Sequence, residues 1–219
     1  MLLLPLLLFL LLTVYPVRYL DFSFGKAFPL TLIASTLVIY ICGFLHNLRL
    51  GVYILSAAGM AALFILWKHH KDKDFLNRYL TFSFYAAIVI YLVTVLLHIH
   101  RYFRFIDEFA HLGFMAKEAY RLNDFYCIPS SNMWYNKEYP PFFTLFEVLW
   151  CYLCGSFKER YIYMSLTFME LSFFVPLFEI RYSDRKKDWL NALLFLLVCG
   201  LIGLTVGYTN GLAYYTLVY

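Results

Sequence analysis

An apolar run from Leu80 to Ile99 constrains the fold more than any other feature of the sequence. A helix of about 20 residues, rising 1.5 Å per residue, spans the roughly 30 Å hydrocarbon core of a bilayer. The composition agrees, because 63% of the 219 residues are hydrophobic, only 15% are charged and the mean hydropathy is +0.68. Soluble domains carry about 25% charged residues. The sequence therefore predicts an all-α, polytopic membrane protein.

Seven apolar segments are candidates for membrane helices, which predicts six or seven crossings. They are Leu2–Tyr15, Ala27–Leu45, Leu50–Trp67, Leu80–Ile99, Phe142–Gly155, Tyr161–Phe178 and Trp189–Gly207. We expect residues 1–219 to form one membrane domain. Its first four helices occupy residues 1–100, a long loop occupies 101–141, and the remaining helices occupy 142–219.

Basic residues between the helices predict the orientation. The most basic short loop, Lys68–Lys73 with Arg78 after it, is expected in the cytoplasm. The helix that follows then carries loop 101–141 to the outer face. A full crossing by Phe142–Gly155 would place a second basic loop, Arg181–Lys187, outside. That segment has only about 14 residues, which is short for a bilayer, so a re-entrant or interfacial helix is favoured there.

The formal net charge of +4 arises from these basic clusters. Such clusters are typical of topology signals and of contact with anionic lipid. The sequence shows no basic stripe of the kind that nucleic-acid binding needs. Membrane lipid is therefore an expected partner and nucleic acid is not.

The outer loop opens with two adjacent carboxylates, Asp107 and Glu108. An amphipathic helix is predicted from there to Leu122, lying on the membrane surface. The loop closes with Tyr139-Pro140-Pro141, directly before the next apolar segment. Proline in the first turn is preorganised for a helix, so this motif fixes where that helix begins. His98, at the end of the preceding apolar run, is expected at the interface.

The combination of an Asp-Glu pair, an interfacial helix and Tyr-Pro-Pro resembles the GT-C superfamily of integral-membrane glycosyltransferases. Within it, the chain is most similar to the bacterial protein-mannosyltransferase and aminoarabinose-transferase group, over roughly Leu80 to Gly207. The resemblance implies transfer of a sugar from a polyprenyl-phosphate donor to a cell-envelope acceptor, at the outer face of a bacterial plasma membrane. Such enzymes usually continue for several more helices. We therefore expect this chain to correspond to the N-terminal part of a longer enzyme and to be inactive alone.

The resemblance makes Asp107 the expected catalytic base and Glu108 its companion carboxylate. Transfer to a hydroxyl needs a carboxylate that takes the acceptor proton, and a cation or divalent metal that holds the departing phosphate. A divalent metal on Asp107 and Glu108 is one option for that second role. The candidates for substrate binding are His111, Lys117, Arg121, Lys137 and Tyr139.

Simpler interpretations stay open beside these roles. His111 fits an interfacial histidine that faces water, and basic residues beside a membrane commonly contact lipid headgroups. Acids at a helix N-terminus stabilise it by roughly 0.3–1 kcal/mol, so Asp107 and Glu108 also suit a non-catalytic membrane scaffold. A small transporter subunit is a third alternative, although no internal repeat is evident in the sequence.

Overall fold

The computed structural model describes residues 2–103, 109, 112–134, 137–179, 193 and 200. Within these residues the chain is helical and contains no strand, which confirms the all-α prediction for this part of the protein. The elements are α1 (Leu4–Leu12), α2 (Val14–Tyr19), α3 (Phe24–Phe44), α4 (Leu48–His69), α5 (Lys73–Tyr79), α6 (Phe82–His98), α7 (Leu112–Leu122), α8 (Phe142–Cys154), α9 (Glu159–Ser172) and a 3-10 helix (Val175–Phe178).

Three helical segments are long and apolar enough to cross a membrane. They are Phe24–Phe44, Leu48–His69 and Lys73–His98, the last formed by α5 and α6 together. Two shorter apolar segments, Leu4–Tyr19 and Phe142–Cys154, accompany them. The predicted segment Trp189–Gly207 and the basic loop Arg181–Lys187 lie outside the described residues, apart from two isolated positions in the former. Six or seven crossings stay a prediction.

One end of the bundle, called end A here, joins the α2–α3 loop to the region between α4 and α6. The Arg78 guanidinium contacts the Asp21 carboxylate at 2.6 Å, and Arg18 lies 3.7 Å from Asp72. The chain after α9 also reaches this end, because Pro176 lies against Gly25 at the start of α3.

The opposite end, called end B, joins the α3–α4 turn to the segment after α7. The backbone N–H of Leu48 donates to the Asn123 carbonyl at 3.0 Å. His46 Nδ1 lies 2.7 Å from the Asp124 carboxylate. The Tyr152 hydroxyl, near the end of α8, hydrogen-bonds to Asn123 Oδ1 at 3.2 Å. These contacts place the end of α8 at end B.

Helix α8 also begins at end B. The Tyr126 hydroxyl, close to the loop contacts just described, donates to the Tyr139 carbonyl three residues before α8. Gly155 then ends α8 with a φ of 80°, a left-handed conformation that favours glycine and reverses the chain. The Glu159 carboxylate accepts a hydrogen bond from the Phe103 backbone at 2.8 Å, so α9 starts at end B as well. Helix α9 and the 3-10 helix after it together make the passage from end B to end A.

An aromatic cluster around Trp150 fixes α8 inside the bundle. The indole is fully buried and stacks on Tyr91 of α6 with ring centroids 5.6 Å apart. It also packs on Phe168 of α9 at 5.4 Å and on Phe9 of α1 at 6.4 Å. Aromatic pairs at such distances add about 0.5–1.5 kcal/mol beyond their burial. Four helices thus meet at one side chain.

Candidate functional site

The predicted catalytic pair lies outside the described residues. Asp107, Glu108 and the candidate ligand His111 all fall in that part of the sequence, so their roles stay predictions. Among the residues that are described, no group of three or more His, Cys, Asp or Glu side chains could hold a metal ion. A metal on Asp107 and Glu108 accordingly stays a prediction too.

The chain on either side of the pair is fixed at end B. The rings of Phe103 and Phe109 meet edge to face with centroids 5.7 Å apart. Phe103 also packs on Tyr163 of α9 at 6.0 Å, and its N–H donates to Glu159 as described above. Contacts with the first turns of α9 thus hold the residues that precede the catalytic candidates.

Two arginines accompany this segment. Arg160 donates from Nη1 to the Ile99 carbonyl at 3.1 Å and lies 5.4 Å from the centre of the Tyr161 ring. Arg101 lies over the Tyr163 ring at 5.2 Å. A guanidinium is a planar, always charged group whose N–H groups match the oxygens of a phosphate. End B therefore presents two guanidinium groups, those of Arg101 and Arg160, beside the start of loop 101–141.

A buried polar pair lies under these arginines. His98 is only 6% exposed, although the sequence predicted an interfacial position for it. Its Nε2 lies 2.9 Å from the Thr167 hydroxyl, and its ring stacks on Tyr163 at 5.8 Å. Helix α9 covers the imidazole. The pattern of apolar residues in α6 does not indicate this burial, because it arises from packing against another helix.

Arg121 is occupied by an ion pair on its own helix. Its Nε and Nη2 donate to the Glu118 carboxylate at 2.9 and 2.7 Å. The Glu118 side chain is 3% exposed and the Arg121 side chain is 49% exposed. The backbone N–H of Asn132 donates to the same carboxylate at 2.9 Å. The hydrogen bonds from Arg121, helped by the one from Asn132, hold the pKa of Glu118 below its usual value.

This arrangement ties loop 123–134 back onto α7. A role for Arg121 in binding a donor phosphate stays a prediction, and it would require the guanidinium to leave or share Glu118. Lys117, four residues earlier on α7, is exposed, and Lys137 is half-buried. Tyr139 is half-buried and joined to the same loop through Tyr126. Helix α7, the loop and the Tyr-Pro-Pro motif thus form one unit at end B.

Arg160 is a basic residue at end B that the sequence analysis did not identify as part of the candidate site. It follows a turn far from Asp107 in the sequence, and only the packing of α9 against the end of α6 brings it to Ile99. Arg101 lies only six residues before Asp107, so its place beside the candidate pair is visible in the sequence. Comparison of the chain with family models, with curated proteins and with solved structures found no match.

Proposed function

We propose that the chain is an integral-membrane protein that transfers a sugar from a polyprenyl-phosphate donor to a cell-envelope acceptor at end B. The observation that carries the proposal is the presence of the Arg101 and Arg160 guanidinium groups at this end, beside the segment that leads to Asp107. A lipid-linked phosphate needs positive charge at the level where the membrane meets water. These two groups supply it, with aromatic rings beneath them.

The topology that goes with this function places end A in the cytoplasm and end B at the outer face of a bacterial plasma membrane. The basic loop Lys68–Lys73 lies at end A with Arg18 and Arg78, which supports a cytoplasmic location for this end. Helix α8 has 13 residues and begins and ends at end B. A helix of that length is about 20 Å long, less than the hydrocarbon core. We therefore assign α8 as a re-entrant or interfacial helix, with α9 and the 3-10 helix after it returning the chain to the cytoplasmic side.

In the proposed reaction, the Asp107 carboxylate takes the proton of the acceptor hydroxyl while the hydroxyl oxygen attacks the anomeric carbon. The bond between that carbon and the phosphate oxygen breaks, and its electron pair leaves with the phosphate. Arg101 and Arg160 stabilise the charge that develops on the departing group. Glu108 orients the acceptor or its neighbouring base.

The test uses membranes that contain the full chain and labelled polyprenyl-phosphate hexoses and pentoses. The unaltered chain is expected to bind a donor, and Arg101→Ala together with Arg160→Ala to lose that binding. In an active preparation of this chain, or of the longer enzyme that it resembles, Asp107→Asn should lower transfer by about 10²–10⁴-fold, as expected for loss of a general base. Asp74→Asn, an exposed acid at end A, is the matched control and should keep full transfer.

Two results would contradict the proposal. One is full transfer by Asp107→Asn with a lower protein yield for Asp107→Leu, which would favour a carboxylate that only caps a helix. The other is failure of the unaltered chain to bind any polyprenyl phosphate, which would favour the membrane scaffold.

A further inference from the structure

A polar cleft of about 560 Å³ opens at end A, between the beginnings of α3 and α6. Small-molecule sites commonly have volumes of about 300–1,000 Å³. The polar residues that line this cleft are four with charged side chains, two with hydroxyls and one with an amide: Asp21, Lys26, Arg78, Glu179, Ser23, Thr81 and Asn77. The cleft lies at the other end of the bundle from the proposed transfer site, and the inference below does not depend on sugar transfer.

Two helices begin at this cleft without a side-chain cap. Ser23 precedes α3 and Thr81 precedes α6, and neither hydroxyl accepts a hydrogen bond from its helix. Both hydroxyl oxygens are shielded from solvent and have no hydrogen-bond partner, and the same holds for Arg78 Nε. Buried polar atoms without partners are costly. An anion in the cleft would accept hydrogen bonds from these groups, and helix N-termini favour negative charge.

The charges of the cleft balance. Lys26 and Arg78 are cationic, whereas Asp21 and Glu179 are anionic, so the formal sum is zero. Arg78 pairs with Asp21, and within the described residues Lys26 and Glu179 form no ion pair. Among the residues that the structure describes, one cation and one carboxylate of the cleft are therefore available to a ligand. A zwitterion with a phosphate at one end and an ammonium at the other matches both.

An apolar groove of about 390 Å³ continues from the cleft along α3. Leu20, in the groove, is adjacent to Asp21 in the cleft, and Leu30 lies one helical turn beyond Lys26. The groove runs between α1–α2 and α3, and its other apolar residues include Leu12, Pro16, Ala34, Val38 and Leu55. A hydrocarbon chain attached to a headgroup in the cleft would lie in this groove.

We propose that end A binds a phospholipid with a phosphoethanolamine headgroup. Its phosphate contacts Lys26 and the N-termini of α3 and α6, its ammonium donates to Glu179, and one acyl chain occupies the groove. Phosphatidylglycerol carries a neutral glycerol in place of the ammonium, so its hydroxyls can donate to Glu179 but bring no positive charge to offset the carboxylate. The trimethylammonium group of phosphatidylcholine has no N–H to donate to that carboxylate.

The test is native mass spectrometry of the purified full chain, titrated with three lipids of identical acyl chains: phosphatidylethanolamine, phosphatidylglycerol and phosphatidylcholine. The unaltered chain should bind phosphatidylethanolamine in preference to the other two. Lys26→Ala should weaken that binding about tenfold, whereas Lys73→Ala, an exposed lysine at end A outside the cleft, should not. Glu179→Gln should retain lipid binding but lose the preference over phosphatidylglycerol.

A substitution in the groove distinguishes binding of an intact lipid from binding of its headgroup alone. Ala34→Trp, at an exposed position of the groove, should weaken binding of the diacyl lipid and leave binding of soluble glycerophosphoethanolamine unchanged. Equal binding of the three lipids by the unaltered chain would overturn the proposal. So would equal effects of Lys26→Ala and Lys73→Ala, or a preference that survives Glu179→Gln. Unchanged binding of the diacyl lipid by Ala34→Trp would contradict the placement of an acyl chain in the groove.

Discussion

The Glu118 carboxylate is expected to hold loop 123–134 closed over α7. It accepts hydrogen bonds from Arg121 Nε, Arg121 Nη2 and the Asn132 N–H while being almost fully buried. Glu118→Ala removes the acceptor of all three. The other end of the loop stays anchored, because Asn123 still binds the backbone of Leu48 and Arg49. Opening should therefore be local to the loop.

The change in the free energy of loop opening can be estimated from the hydrogen bonds that Glu118→Ala removes. A hydrogen bond to a charged group contributes about 1.5–3 kcal/mol, and such contributions are not additive. Because the Arg121 side chain is half-exposed, water recovers part of its hydrogen bonding after the substitution. We expect the free energy of loop opening to fall by about 2–3 kcal/mol, which corresponds to amide exchange about 30- to 150-fold faster.

The assay is hydrogen–deuterium exchange of peptides covering 123–134 in lipid nanodiscs. Glu138→Gln, an exposed acid outside this network, is the control and should leave exchange unchanged. Glu118→Gln should give intermediate exchange, because the amide keeps one oxygen but loses the charge. Exchange in Glu118→Ala equal to that of the control would refute this account of the loop and leave Arg121 available for a phosphate.

The contribution of Glu118 to the stability of the closed loop should decrease as the pH is lowered. The folded pKa of Glu118 lies below its unfolded value, so its contribution is complete above the unfolded pKa, about 4.3. That contribution is lost as the pH falls through the folded pKa. After correction for intrinsic exchange, protection of the loop in the unaltered chain should decrease below about pH 4. The part of the decrease that depends on Glu118 should be absent from Glu118→Gln.

Three further predictions concern the bundle. Trp150→Ala should lower the free energy of unfolding by about 3–5 kcal/mol. Trp150→Phe should lower it by less, because phenylalanine keeps an aromatic ring in the cluster while both variants lose the indole N–H that is buried without a partner; equal shifts of the melting temperature in a thermal-shift assay would contradict the packing role of the ring. Alkaline phosphatase fused after Gly155 should be active and fused after Asp184 inactive, whereas activity at Asp184 would restore a seventh crossing through α8. A membrane-impermeant maleimide should label the exposed Cys127 from outside intact cells, and labelling only from inverted vesicles would reverse the orientation.

Hydropathy predicted the long helices well and their ends less well. The predicted segments Ala27–Leu45 and Leu50–Trp67 became α3 (Phe24–Phe44) and α4 (Leu48–His69). Helix α4 begins earlier because the Asn47 side chain accepts a hydrogen bond from the Leu50 N–H. Such caps are local polar contacts, and a scale of apolar character does not register them.

Short elements escaped prediction for a related reason. Helix α5 lies within a stretch that the sequence analysis treated as loop, and its seven residues make only two turns. Its start is fixed by Asp72, whose carboxylate accepts from the Phe75 N–H at 3.1 Å. The predicted segment Tyr161–Phe178 is divided into α9 and a 3-10 helix that contains Pro176, a residue that cannot continue an α-helical hydrogen-bond ladder.

The candidate site shows where sequence reasoning reaches its limit. Glu118 and Arg121 are three residues apart, a spacing that brings side chains together on one face of a helix, and they do pair. Their spacing does not reveal that loop 123–134 covers this face, where the Asn132 N–H donates to Glu118. His98 is likewise covered by α9. Which distant segment covers a given face depends on tertiary packing, and no local pattern encodes it.

The most direct test of the proposed function is photo-cross-linking of a polyprenyl-phosphate sugar whose reactive group is placed next to the phosphate. The account predicts adducts in peptides covering 99–103 and 159–163 at end B, competed by an unlabelled polyprenyl-phosphate sugar and lost when Arg101 and Arg160 are both replaced by alanine. Adducts confined to end A, or spread over the lipid-facing helices without competition, would contradict it.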